Sequence, residues 1–216
     1  HASLCLLTCD AIAGKYDFAL PTAAAVELIH HQAVVHEDIQ VGRPERGHRS
    51  TLWWLWGPGQ AINAGDSLHA LGRLALMKLG EQGQPNGKVL EALQELDVAC
   101  LRMCEGQHMD LVYQDRLDVT VEQYTEMASL KTGSLLSCAS KLGAMIAVDN
   151  PDVTQAFAKL GMELGLAYQI RNDILSVWNS LDDTSTLDNV LNKKRGLPLI
   201  YALQTAQGRK KRALAT

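Results

Sequence analysis

The sequence predicts an all-α protein, a single helical bundle around one core. Three observations lead there. Apolar residues recur at helical spacing along nearly the whole chain. Alternating β-branched and aromatic runs are nearly absent. The 216 residues, 47% of them hydrophobic, suffice for one sizeable core and require no second domain. The spacing predicts helices over 3–14, 21–40, 58–80, 88–115, 120–147, 151–178 and 188–207. The stretch "VGRPERGHRS" (41–50) ends the second helix and reads as a loop by its glycine, proline and charge. "GEQGQPNG" (80–87) separates the third from the fourth in the same way. Thr120 and Gln123 have the spacing of a capping box at the start of the fifth. Asn150 can cap the sixth, with Pro151 in its first turn.

Composition narrows the function. A formal charge of -4 gives no reason to expect nucleic acid as the main partner. The basic end "GRKKRALAT" reads as a solvated tail. No apolar run approaches the roughly 18 residues of a transmembrane segment, and "HASLCLLTCD" lacks the basic start of a signal peptide. Five cysteines, with Cys5/Cys9 and Cys100/Cys104 at helical spacing and no CxxC, suit reduced core thiols better than zinc. The expectation is a cytoplasmic protein.

Two short acidic clusters on apolar helices carry the chemistry. On 151–178, Phe157, Leu160, Leu164, Ala167, Ile174 and Trp178 keep helical spacing and are expected to face neighbouring helices. Gln169, Asn172, Asp173 and Ser176 fall on a separate polar stripe. Asn and Asp are poor interior helix residues, and a solvated face normally carries Lys and Glu instead. On 21–40, His30, Ala33, Glu37 and Gln40 share one face. Glu37 and Asp38 lie at the C-terminal end, where the helix dipole disfavours carboxylates, so something must compensate. A hard cation takes oxygen ligands and bridges carboxylates to substrate phosphates, and facing helices of a bundle build such sites. Arg46, Lys131-Thr132 and the run Lys193, Lys194, Arg195 supply cations for a phosphate. The two clusters are expected to face each other across one cavity.

At these residues the sequence resembles the trans-isoprenyl diphosphate synthase (polyprenyl synthetase) family. The matching segments, in family order, are "AAAVELIHHQAVVHEDIQ", "GPGQAINAGDSLHALGRLAL", "EGQHMDLVYQDRLDVTVEQYTEMASLKTGSLL", "ELGLAYQIRNDIL" and "KKRGLPLIYAL". The resemblance implies an all-α isoprenoid synthase bundle around a deep apolar cavity, a homodimer, and magnesium used to ionise an allylic prenyl diphosphate. It places Glu37, Asp38, Asn172, Asp173 and Ser176 at the metal, and Arg46, Lys131, Gln169 and Lys194 at the diphosphate. Lys131, Thr132 and Gln169 become candidate catalytic residues. Gln107 and Asp110 match the family's GQxxD element. Gln32 and Ala33 lie where relatives set cavity depth.

The departures from the family shape the expected activity. The first DDxxD motif reads "EDIQV", with Glu37 for the first Asp and Val41 for the last. The paired arginines after it read Arg46-Gly47. The second arginine, which in the family helps to bind the acceptor isopentenyl diphosphate, is thus expected to be lost. The second motif reads "NDILS", the opening of the NDxxSxxxE motif of terpene synthases, with Ser180 at the expected Glu. Metal binding weaker than in intact relatives follows. Family segments upstream and downstream are expected to lie outside this single domain. An allylic side kept beside a damaged acceptor side favours a terpene-synthase-like cyclisation or elimination. The alternatives are a chain-elongating prenyltransferase and a catalytically silent dimer partner.

Overall fold

The structure, a computed structural model, describes residues 1–178, 196–208 and 214. Nine helices are described: α1 (Ala2–Ala13), α2 (Leu20–Gln40), α3 (Leu52–Trp56), α4 (Pro58–Glu81), α5 (Asn86–Tyr113), α6 (Val121–Ala128), α7 (Ser134–Ala147), α8 (Pro151–Trp178) and α9 (Leu197–Thr205). The expected all-α bundle is what forms. The capping box at Thr120 is present, with both reciprocal bonds made. Asn150 accepts from the backbone N–H of Asp152 at 3.0 Å.

Four details differ from the sequence reading. Residues 41–50 are not all loop: β1 (Glu45–Arg46) pairs antiparallel with β2 (Arg49–Ser50). Gly47 and His48, with φ of 57° and 62°, form the two-residue turn that suits a hairpin. Strands of two residues are too short to show alternation. Helix α3, "LWWLW", is likewise too short for a period. The predicted helix 120–147 contains a π-helical turn, Ser129–Gly133, between α6 and α7. Cys104 is exposed, whereas Cys5, Cys9, Cys100 and Cys138 are buried thiols.

The largest correction concerns α8. Leu160, Leu164, Ala167, Ile174 and Trp178 are exposed rather than packed on neighbours, and Phe157 is half-buried. Helix α8 buries Ala158, Gly161 and Gly165 instead. A Cβ on Gly165 would lie 2.6 Å from the Cα of Gly133. Absent side chains let the two backbones approach, and that face wins over the larger apolar one.

The main core gathers α1, α2, α4, α5 and α7 around residues such as Val26, Ile29, Leu76, Leu96, Leu135 and Leu142. A smaller cluster joins Tyr113, Val119, Tyr124, Met127 and Ile200 beneath α9. Among the described residues, no helix is long and apolar enough to cross a membrane.

Candidate active site

A cavity of about 850 Å³ opens between α2, α5, the π turn and α8. The α2 face named from sequence, His30, Ala33, Glu37 and Gln40, lines it. Opposite stand Gln169, Asn172, Asp173 and Ser176 of α8. The structure thus brings both acidic clusters to one cavity. Gln32 and Ala33 lie on its wall as well. Gln32 is buried there, with its Oε1 3.4 Å from His69 Nδ1.

The helix-dipole problem at the end of α2 is solved by three cations. Arg46 Nη2 donates to Asp38 Oδ1 at 2.7 Å and to Glu37 Oε2 at 2.9 Å. Arg43 Nη1 donates to Asp38 Oδ1 at 3.3 Å. Lys131 Nζ bridges Glu37 Oε1 at 3.0 Å and Asp110 Oδ2 at 2.6 Å, joining α2 to α5. Burial alone would lower the pKa of Lys131, but the Asp110 and Glu37 carboxylates outweigh it and raise it. The same opposition, with Asp38 and Glu37 winning, raises that of Arg46. Asp38 itself is only 6% exposed and sits under the arginines rather than on the cavity wall.

Lys131 and Thr132 reach the cavity because they occupy the π turn, whose wider register re-aims side chains, a frequent device at functional sites. Two glycines make room for it. The backbone of Leu130 and Lys131 occupies the space that a Cβ on Gly106 of α5 would need. Gly165 of α8 admits Gly133 from the other side.

The α8 wall is built differently. Tyr124 donates its hydroxyl to Asp173 Oδ2 at 2.6 Å, and the backbone N–H of Leu197 donates to the same oxygen at 2.9 Å. Gln169 Nε2 donates to Asp173 Oδ1 at 2.9 Å, and Thr132 Oγ1 donates to Gln169 Oε1 at 2.7 Å. A chain of neutral donors therefore fixes Asp173. Burial, then the Asp173 charge, pushes the Tyr124 hydroxyl far above its ordinary pKa, so it stays a donor. Ser176 lines the cavity, yet its hydroxyl donates back to the carbonyl of Asp173 at 2.8 Å.

Carboxylate, amide and hydroxyl oxygens dominate this polar end, a donor set that suits a hard cation such as magnesium. Among the described residues, no three carboxylate, histidine or cysteine side chains converge closely enough to enclose an ion. The residues fit a cation completed by phosphate oxygens and water.

Sequence reasoning missed Arg43 and Tyr124. Arg43 sat in a charged stretch read as loop, and Tyr124 has the spacing of a core aromatic. Its distance of eight residues from Thr132 places both on one helical face, a signal that was present. Lys194, with Lys193, Arg195, Ser180 and the greater part of the basic tail, lies outside the described residues.

Comparison with known proteins adds an independent line. The family model described as "Polyprenyl synthetase" matches residues 2–216. The chain is 34% identical over 207 residues to a geranylgeranyl diphosphate synthase of Mycobacterium tuberculosis, covering 95% of this chain and 58% of that protein. It is 35% identical over 209 residues to a short chain isoprenyl diphosphate synthase of Methanothermobacter thermautotrophicus, covering 94% and 62%. A crystal structure of a polyprenyl synthetase from Streptomyces coelicolor A3(2) superposes with a TM-score of 0.88 at 33% identity, covering 99% of this chain and 62% of that one. The chain thus spans about three fifths of the length of these relatives.

Proposed function

The chain belongs to the polyprenyl synthetase family, and we propose that it acts as a chain-elongating prenyltransferase, joining isopentenyl diphosphate to an allylic prenyl diphosphate. The observation that carries this reading is the pair of guanidinium groups, Arg43 and Arg46, paired with Glu37 and Asp38 and lining the cavity. The relatives named above as isoprenyl diphosphate synthases support it in turn.

This reading replaces the one-substrate, terpene-synthase-like reaction favoured from sequence. That preference rested on Gly47 standing where a second arginine should be. Gly47 is instead a hairpin turn residue in the left-handed region, a place that disfavours any larger side chain. The second guanidinium comes from Arg43, four residues earlier. Nothing among the comparisons favours cyclisation.

In the proposed reaction, magnesium bound by Glu37, Asp173 and Asn172 would neutralise charge on the departing diphosphate. Arg46 and Lys131 supply positive charge on the same side, where negative charge develops as the allylic C–O bond breaks. Gln169 is held by Thr132 and orients Asp173. Below the polar end, Ala33, Met103 and Leu135 line the cavity and keep water from the allylic cation. The acceptor double bond then forms the new C–C bond, and a proton is lost. Five cysteines that remain thiols agree with a reducing compartment such as the cytoplasm. A homodimer accords with the exposed row Leu71, Leu74 and Met77 on α4.

The test is product analysis after incubation with magnesium, labelled isopentenyl diphosphate and geranyl, farnesyl or geranylgeranyl diphosphate. Elongated, labelled diphosphates are expected. Unlabelled hydrocarbon or alcohol as the sole product would return the one-substrate reading.

A further inference from the structure

Arg43 differs from Arg46, the other arginine at the acid pair, in burial and in how its backbone is fastened. Its side chain is 10% exposed, against 41% for Arg46. Its backbone N–H donates to the carbonyl of Asp38 at 2.9 Å. Its own carbonyl accepts from Thr51 Oγ1 at 2.8 Å and from Trp53 Nε1 at 2.6 Å. The loop is therefore fastened to α2 on one side and to α3 on the other. The guanidinium stands 3.3 Å from Asp38 and 3.8 Å from Glu37. Arg46 is on the hairpin itself and more open to solvent.

We infer that Arg43 is a built-in counter-ion of the Glu37–Asp38 pair, a positioning residue that makes cation binding there conditional on diphosphate. With Val41 at the end of "EDIQV", this wall lacks the third carboxylate of the family motif, and Arg43 offsets one of the two that remain. A divalent cation approaching alone meets a pair already neutralised by fixed positive charge. A diphosphate brings negative charge that draws Arg46 and Lys131 toward itself and supplies oxygens to the cation. Affinities for cation and anion must then rise together, each raising the other by the same factor. Arg43 sets how large that factor is. The inference rests on reading Glu37, with Asp38 behind it, as the cation-binding side of the cavity, not on elongation.

Calorimetric titration with magnesium alone tests it in the whole protein. Wild type is expected to bind weakly. Arg43→Gln removes a full charge beside the acids and is expected to bind magnesium at least about tenfold tighter. Its coupling to inorganic diphosphate should shrink, by the same factor whichever of the two ligands is titrated. Arg43→Lys keeps the charge but places it on a more flexible stem that need not hold the position of Nη1, so a gain of about threefold is expected. It carries the test if Arg43→Gln loses its helical circular dichroism. Magnesium affinity that is unchanged or lower in a folded variant overturns the inference. Absence of magnesium binding to wild type even with diphosphate present would instead fail the assignment of Glu37 to the cation.

Discussion

The two walls of the cavity hold their carboxylates by opposite means. On the α2 side, Glu37, Asp38 and Asp110 meet Arg43, Arg46 and Lys131, three acids against three bases. On the α8 side, Asp173 is held by the hydroxyl of Tyr124, the amide of Gln169 and a backbone N–H, with only neutral partners among the described residues. The first wall is charge-balanced before any ligand arrives. The second keeps its negative charge. A cation arriving alone should therefore prefer Asp173, and the α2 wall should engage it only with the diphosphate. An ion-pair wall depends on each member, because removing one leaves a buried charge. A wall of neutral donors loses less with each change.

Breaking the α2 wall should have the largest effect. Lys131→Met leaves Glu37 and Asp110 facing each other without their shared cation. It is expected to cost about 3–5 kcal/mol in denaturant unfolding and to lower turnover by roughly 100- to 1000-fold. Loss below 1 kcal/mol would mean that the three-against-three balance is not structural. Tyr124→Phe probes the other wall. It removes one hydrogen bond to a charged group while keeping the ring, so magnesium affinity with diphosphate present should fall roughly 10-fold. An unaltered affinity would show that Asp173 needs no such support.

Gly165→Ala sharpens the comparison at the junction of the walls. The added methyl would lie 2.6 Å from the Cα of Gly133, at the end of the turn that carries Lys131 and Thr132. Overpacking of about 1–3 kcal/mol is expected from thermal unfolding, with turnover falling as Lys131 shifts. The smallest effect concerns Cys104, an exposed thiol on the α5 wall. The neighbouring Cys100 thiol lowers its pKa to about 6. The folded value lies below the unfolded one, so this interaction adds stability above the unfolded pKa and loses it as pH falls through about 6. Iodoacetamide should label this cysteine alone in the native protein, with a rate that drops only below about pH 6. A half-rate near the ordinary value of roughly 8.5 would contradict it.

Much of this was legible before the coordinates. Gln169, Asn172, Asp173 and Ser176 stood out because such residues are costly inside an apolar helix unless a cavity uses them. Glu37 and Asp38 stood out because a helix C-terminus disfavours them. What compensates them was legible only in part: Arg46 and Lys131 were named, Arg43 was not. Its role comes from a hairpin of two-residue strands and a tryptophan N–H on its carbonyl, tertiary facts that leave no periodic trace. The π turn was hidden for a related reason, since one wide turn hardly disturbs the spacing of a 28-residue helical pattern. The outer face of α8 misled, because apolar spacing reports a stripe but not which side a glycine face will claim.

The most direct test of elongation is the release of inorganic diphosphate from an allylic diphosphate and magnesium, measured before and after isopentenyl diphosphate is added. A protein that joins two substrates should release little until the acceptor arrives, then about one diphosphate for each labelled acceptor incorporated. Release at the full rate from the allylic substrate alone, unchanged by the acceptor, would contradict the account.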